Sequence, residues 1–457
     1  MHMTMPISTP ESESAPAPVS FWQAFAFWLK LGFISFGGPA GQIAIMHTEL
    51  VERRRWISEK RFLHALNYCM VLPGPEAQQL ATYIGWLMHR TWGGVVAGVL
   101  FVLPSLFILI ALSWIYIAYG HVAWVAGLFY GIKPAVTAIV LQAAHRIGGR
   151  ALKHNALWAI AAASFVAIFA FKLPFPLIVL GAALIGYVGG RWAPQWFQMG
   201  GGHGGADKSY GAALIDDHTP TPAHALFRWS RLGWVAAVGL LLWAVPMGLL
   251  AYAYGWEHTL TQMGWFFTKA ALLTFGGAYA VLPYVYQGAV EGFGWLNPTQ
   301  MIDGLALGET TPGPLIMVVA FVGFVGGYMK AVFGPDSLFL AGTVAACVVT
   351  WFTFLPSFLF ILAGGPVVET THNQLKFTAP LTAITAAVVG VILNLALFFG
   401  YHVLWPQGFS GRFDAMSAAI ALAAGVALFR FKRNVMHVIA ACALVGLAGS
   451  VFNAAYP

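Results

Sequence analysis

Charged residues are scarce in this chain of 457 residues: they make up 9% of it, whereas hydrophobic residues make up 59%. About a quarter of the residues in a soluble globular protein are charged, so this composition excludes a surface that faces water throughout. Many apolar runs reach the roughly 20 residues that cross a bilayer as a helix. The sequence therefore predicts an all-α polytopic protein embedded in a lipid bilayer. The net charge of +7 is clustered near segment ends, which indicates topology signals and not a nucleic-acid surface.

Cysteine is also rare. Cys69, Cys347 and Cys442 stand far apart and form no CxxC pair, which argues against a disulfide framework, a zinc site or a dithiol redox centre. The sequence contains no dinucleotide-binding fingerprint. We therefore expect no cofactor and no metal, and we predict that the chain is not an enzyme. Residues 1–20 lack the basic and apolar regions of a signal peptide, so we expect a disordered tail there.

The rest of the sequence contains one pattern twice, 239 positions apart. The matching features are Lys30 with Lys269, FGG at 36–38 with FGG at 275–277, and PGP at 73–75 with PGP at 312–314. An LPS tripeptide follows in each copy, at 103–105 and at 355–357. Chance similarity between apolar segments explains shared Leu and Val but not these residues, so the pattern indicates duplication. The predicted organisation is a tail (1–20), a first module (21–190), a polar cytoplasmic linker and flexible tether (191–230), a linking transmembrane helix (231–256) and a second module (257–457).

The two modules are predicted to have inverted topology, each with about six hydrophobic segments. We interpret the FGG and PGP segments as re-entrant hairpins, because all basic clusters then fall on the cytoplasmic side; the alternative is that they cross fully. The amino terminus is then cytoplasmic and the carboxyl terminus periplasmic. Arg53-Arg54-Arg55 aligns with Gly292-Phe293-Gly294, so one loop is basic in the first copy only. Inverted repeats with broken helices are typical of secondary transporters.

The breaks predict an anion site. A break in hydrocarbon leaves N–H and C=O groups unpaired, at a cost of several kcal/mol each unless protein, water or a ligand pairs with them. Helix amino termini attract anions, and the nearby lysines add full charges. The predicted binding residues are Lys30, Ser35, Phe36, Gly37, Gly38, Gln42, Pro73, Gly74 and Pro75 in the first module, and Lys269, Thr274, Gly276, Gly277, Thr310, Thr311, Pro312, Gly313 and Pro314 in the second.

Two carboxylates beside the PGP turns, Glu76 and Glu309, are candidates for proton coupling, because ionisable groups in such segments are functional by default. They do not match each other in the repeat, so a role for either would be asymmetric. For the two lysines the alternative is an anchoring role, in which the side chain extends along apolar surface to reach water.

These motifs, the Trp between them, and the LPS and KPA-like elements resemble the chromate ion transporter family in its long two-module form, over about residues 22–456. The resemblance implies export of chromate across the bacterial inner membrane, driven by the proton-motive force and conferring chromate resistance. The second module departs from the pattern, since it reads FGGA with Ala278 where the first reads FGGP with Pro39. Transport of sulfate or another oxyanion, a membrane-bound redox enzyme such as a chromate reductase, and a homodimeric assembly stay open as alternatives.

Overall fold

The computed structural model describes residues 16–197, 210–217, 219–275, 277–370 and 378–455, and these are helical with no strands beyond one isolated bridge. The helices before the linker are α1 (Phe21–Ile34), α2 (Gly38–His47), α3 (Glu59–Val71), α4 (Glu76–Tyr119), α5 (Ala123–Ala151), α6 (Asn155–Phe169) and α7 (Phe175–Trp192). Those after it are α8 (Trp229–Tyr254), α9 (Thr259–Leu273), α10 (Ala278–Tyr286), α11 (Pro298–Thr310), α12 (Val318–Met329), α13 (Leu338–Thr370), α14 (Thr378–Leu404), α15 (Ala415–Phe429) and α16 (Val435–Ala455).

Within the described ranges, six helices are long and apolar enough to cross a membrane: α4, α5, α7, α8, α13 and α14. Five shorter apolar helical segments accompany them. The prediction of a polytopic helical membrane protein is confirmed.

The order of elements is the same on the two sides of α8. Each side has two short helices around an FGG turn, a π-helical turn, a short helix and a PGP turn, followed by longer helices. The π-helical turns Thr48–Arg53 and Gln287–Gly292 are 239 residues apart, as are α3 and α11. The helix starts also correspond. Ser58 caps α3 and Asn297 caps α11, each accepting a backbone N–H of the first turn, because such short polar side chains satisfy donors that the helix leaves free.

Three of the breaks lie at the tips of helical hairpins. Across the second PGP turn, Gly304 packs against the ring of Phe321. Across the first, the rings of Tyr68 and Tyr83 are 5.9 Å apart. Across the second FGG turn, α9 and α10 lie side by side, because the rings of Phe266 and Tyr284 stack at 4.6 Å. The re-entrant placement of these hairpins in the membrane stays a prediction.

The hairpins of the two modules begin at opposite ends of α8. At its first end, Ile57 forms a bridge with Ile215 of the linker, next to the hairpins of the first module. At its other end, Tyr254 packs against His258, where the second module begins, and against Phe333. The 26 residues of α8 correspond to about 39 Å of helix, enough to cross the hydrocarbon core between these ends.

The described part of the linker differs from the flexible tether expected for residues 191–230. It docks on the first module: Ser58 donates a hydrogen bond of 2.6 Å to Asp217, and His224 pairs with the backbone carbonyl of Trp86 at 2.9 Å. Ile215 is buried there. The apolar residues scattered in this polar segment explain the docking, since their burial stabilises the contact. Residues 198–209 and 218 of the linker lie outside the described residues.

Candidate functional site

The hairpin tips of the two modules meet at two crossings, which we name by the module that supplies the FGG turn. In the first crossing, the backbone N–H of Gly313 donates to the carbonyl of Ser35 over 2.8 Å. In the second, the backbone N–H of Gly74 donates to the carbonyl of Thr274, also over 2.8 Å. Ser35 matches Thr274, and Gly74 matches Gly313, at the 239-residue offset of the repeat. The FGG turn of each module is therefore hydrogen-bonded to the PGP turn of the other.

A serine from an LPS tripeptide completes each crossing. A Cβ atom built on Gly313 would lie 2.9 Å from the Cβ of Ser105, and one built on Gly74 would collide with the hydroxyl of Ser357. Each serine comes from the module that supplies the FGG turn, so the two crossings share one composition. Gly74 and Gly313 also have φ angles of +127° and +96°, which side chains rarely adopt. Glycine is required at both positions for conformation and for space.

A glutamine of the first module adds an amide to each crossing. The Nε2 of Gln42 donates to the carbonyl of Gly313 and, over 3.4 Å, to that of Ser35. The Nε2 of Gln79 donates to the carbonyl of Pro73 over 2.8 Å. The matching positions in the second module are Val281 and Val318, so the amides are not duplicated.

Several buried polar atoms at the crossings have no hydrogen-bonding partner among the described residues. They are the Oγ atoms of Ser35, Ser105 and Ser357 and the Oε1 atoms of Gln42 and Gln79. All five side chains are at most 1% exposed. A buried polar group without a partner costs about 1–3 kcal/mol, so native proteins leave few of them. These five atoms are therefore available to hydrogen-bond with a ligand or with water.

The hydroxyls of the predicted threonines donate hydrogen bonds to backbone carbonyls. The hydroxyl of Thr274 donates to the carbonyl of Ala270, and those of Thr310 and Thr311 donate to carbonyls of the last turn of α11. These bonds satisfy acceptors that a helix end leaves free. The other predicted residues form the turns themselves: Phe36, Gly37 and Gly38 in the first FGG turn, Pro73 and Pro75 in the first PGP turn, Gly277 in the second FGG turn, and Pro312 and Pro314 in the second PGP turn. Gly276 lies outside the described residues.

The structure places the two predicted lysines on exposed helix faces. Lys30 shares its face of α1 with Phe33, which is 52% exposed. The ammonium of Lys269 lies 5.6 Å from the ring centroid of Trp265, a cation–π contact on the exposed face of α9. Both lysines precede the crossings by five residues, about 7.5 Å along the helix axis. Their charges are close to the crossings along the chain, but the side chains are not part of the buried polar cluster.

The two candidate carboxylates flank the PGP turns. Glu309 is buried at the end of α11 and accepts a hydrogen bond from the hydroxyl of Tyr279. Glu76 is half-buried at the start of α4. Both interact electrostatically with one helix, since Arg146 of α5 attracts Glu309 and Arg150 of α5 attracts Glu76. The sequence does not place either arginine near the site, because both arginines are far from the two carboxylates along the chain.

Two further polar clusters join the modules at opposite ends of the molecule. At the linker end, Arg61 of α3 forms an ion pair of 3.2 Å with Glu369 of α13. At the other end, Lys133 of α5 lies 3.5 Å from Asp303 of α11, which also accepts a hydrogen bond of 2.9 Å from Tyr116. Sequence reasoning missed both clusters as well as the LPS serines and Gln79. For the serines a signal existed, since the tripeptide recurs in both modules.

Comparison with known proteins agrees with the motifs. The family model described as "Chromate transporter" matches residues 22–187 and 261–447. A chromate transport protein of Pseudomonas aeruginosa is 34% identical over 96% of this chain and 94% of its own length. One from Cupriavidus metallidurans is 29% identical over 93% and 92%, respectively. A probable chromate transport protein of Synechococcus elongatus is also 29% identical, over 84% of this chain and 86% of its own.

No solved structure matches the chain significantly. The match of the family model in two blocks covers both sets of hairpins, and the relatives are named as transport proteins and not as enzymes. The resemblance drawn from the FGG, PGP and LPS motifs is thereby confirmed. This multi-pass membrane protein belongs to the chromate transporter family.

Proposed function

We propose that the chain exports chromate across the bacterial inner membrane, driven by the proton-motive force, and so confers chromate resistance. The observation that carries the proposal is the pair of crossings, at each of which hairpin tips from both modules meet beside unpartnered, buried serine hydroxyls. Membership of the chromate transporter family supports chromate as the substrate. The cytoplasmic amino terminus and the periplasmic carboxyl terminus are part of the same proposal.

The crossings supply the substrate site in this proposal. The serine hydroxyls of the crossings donate to the oxygens of a tetrahedral anion without requiring a shape-specific pocket. Lys30 and Lys269 attract the anion from their exposed positions on opposite modules. We infer that the modules are inverted, since their hairpins begin at opposite ends of α8. The two modules then span the membrane in opposite orientations, the arrangement with which secondary transporters alternate access by moving one repeat against the other.

The carboxylates supply the coupling. In this proposal Glu309, buried and hydrogen-bonded by the Tyr279 hydroxyl, binds and releases the coupling proton. Glu76 lies beside the other PGP turn, at a position that does not match Glu309 in the repeat. Proton binding to these groups would change the balance of charge next to the crossings, and this links the proton gradient to anion affinity. In this proposal the route of chromate through the protein runs between the Arg61–Glu369 and Lys133–Asp303 clusters, one at each end.

Chromate uptake into inverted membrane vesicles tests the proposal. We expect uptake that requires a proton gradient and collapses when the gradient is dissipated. The double variant Ser105→Ala/Ser357→Ala should lose most of this uptake. Ser113→Ala is the matched control, because Ser113 is equally buried on α4 and also lacks a partner among the described residues but does not contact a PGP glycine. Gradient-independent uptake would refute the coupling, and sulfate uptake at the rate of chromate would make the protein a general oxyanion transporter.

A further inference from the structure

The orientation of the Gln42 amide is fixed by its partners. Its Nε2 faces two backbone carbonyls, those of Gly313 and Ser35, and a carbonyl can only accept a hydrogen bond. Turning the amide over would place its oxygen against two other oxygens. The nitrogen therefore stays where it is, and Oε1 is an acceptor that has no donor within the described residues.

The same reasoning fixes the Gln79 amide at the second crossing. Its Nε2 donates to the carbonyl of Pro73, so Oε1 is again an acceptor without a donor in the described structure. Each crossing thus contains one buried amide oxygen that needs a donor and one LPS serine, Ser105 or Ser357, that can either donate or accept. The serine can complete the coordination of an anion. The amide oxygen cannot, because it carries partial negative charge.

A fully deprotonated tetrahedral dianion only accepts hydrogen bonds, so it would leave both amide oxygens unpaired and facing like charge. A monoprotonated oxyanion carries one O–H donor and three acceptor oxygens, which complements one amide oxygen and the surrounding hydroxyls. We propose that the crossings bind the monoprotonated form of the oxyanion, hydrogen chromate, and select it over unprotonated dianions such as sulfate. This inference rests on the proposed function and concerns the form of the substrate that binds, not the coupling ion.

The selection follows from simple chemistry. Chromate loses its second proton near neutral pH, so both forms coexist in the cell, whereas sulfate remains a dianion there. A site with a fixed hydrogen-bond acceptor discriminates between two ligands of similar shape when only one of them can donate a hydrogen bond. The other ligand binds more weakly, because it leaves the acceptor buried without a partner. Lysine charge alone offers no such distinction. The amide oxygens provide it without any change of pocket size.

Protein groups could also titrate, and they have to be separated from the ligand. Within five residues of Ser35, Gly74, Thr274 or Gly313 along the chain, the titratable and charged side chains are Lys30, Cys69, Glu76, Lys269, Tyr279 and Glu309. Arg146 and Arg150 of α5 act on the two carboxylates. The proposed coupling assigns the proton to Glu76 and Glu309. Glu76→Gln and Glu309→Gln therefore serve as controls.

Chromate binding to the purified full-length protein, measured between pH 6 and pH 9, tests the inference. We expect the apparent dissociation constant for total chromate to rise roughly tenfold per pH unit on the alkaline side, in proportion to the falling fraction of hydrogen chromate. A slope of this size should remain in the double variant Glu76→Gln/Glu309→Gln, in which the proposed coupling carboxylates cannot bind a proton. Sulfate in large excess should not displace chromate at any pH. Affinity independent of pH, a slope that disappears in the double variant, or displacement by sulfate would each overturn the inference.

Two variants locate the effect. Gln42→Leu and Gln79→Leu remove the acceptors, and we expect each to lose at least tenfold in chromate affinity at pH 6 and to flatten the dependence on pH. Gln287→Leu is the control, because the Oε1 of Gln287 already accepts a hydrogen bond from the backbone N–H of Phe175, at a position outside the crossings. An equal loss in all three variants would assign the amides to packing alone. If the wild-type protein binds no chromate at any pH, the proposed function itself fails; binding with a flat profile refutes only the selection of the protonated form.

Discussion

Replacing Gly74 by alanine should destabilise the protein by more than the strain of its backbone. The φ angle of +127° costs a residue with a side chain about 1–3 kcal/mol. The new Cβ would also overlap the hydroxyl of Ser357 and lie 2.7 Å from the Nε2 of Gln79. Relief of that overlap moves the turn away from Thr274 and weakens a hydrogen bond that contributes about 1 kcal/mol. We therefore expect a loss of about 2–4 kcal/mol in unfolding free energy.

A matched variant separates the two causes. Gly277 has a similar φ of +97°, but a Cβ built on it meets nothing within 4 Å, so Gly277→Ala should show the strain alone. Thermal unfolding of the purified variants in detergent, followed by tryptophan fluorescence, should rank Gly74→Ala below Gly277→Ala. Adding Ser357→Ala to Gly74→Ala should recover part of the loss, because it removes the overlapping hydroxyl. Equal midpoints for the two glycine variants, with no rescue, would refute the close contact at the crossing.

Three other predictions concern the two lysines, the ion pair at the linker end and the orientation of the second module in the membrane. The double variant Lys30→Met/Lys269→Met should weaken chromate binding at least tenfold, since about 1.4 kcal/mol of lost attraction suffices for that factor; unchanged affinity in a binding assay would leave the lysines as anchors in the membrane interface. Glu369→Gln should lower the thermal midpoint well below that of Glu49→Gln, because Glu369 pairs with a largely buried arginine whereas the two arginines bound to Glu49 are 69% and 38% exposed. Similar midpoints would show that the pair at the linker end adds no stability. A cysteine placed at Gly292 should react with an impermeant reagent from the periplasm, and labelling from the cytoplasm would exclude the inverted arrangement.

The two modules are not equivalent at the site, although their crossings share one composition. Both amides come from the first module, and Val281 and Val318 stand at the matching positions of the second. Both arginines that attract the carboxylates also lie in the first module, on α5. The backbone contacts and the LPS serines are thus duplicated, whereas the amides and the arginines come from the first module alone.

The sequence by itself determined the properties that depend on composition and local geometry. Scarce charge and long apolar runs identify a membrane protein whatever the packing, and glycine and proline locate the helix breaks because they act on their own stretch of backbone. The recurrence of FGG, PGP and LPS identified the duplication and the family. The sequence did not mark every break, since the non-helical turn at His89–Arg90 contains neither glycine nor proline.

Only the tertiary structure decided which breaks meet. Gly74 contacts Thr274 and Gly313 contacts Ser35, so each partner belongs to the other module, at a separation that no periodicity reveals. The direction of a side chain around its helix is equally nonlocal, because it depends on what packs on each face. Lys30, five residues from Ser35 in the chain, is therefore exposed, whereas Ser105, seventy residues away, is buried at the same crossing. Position along the chain fixes where a helix breaks, and packing between the modules fixes which groups surround the break.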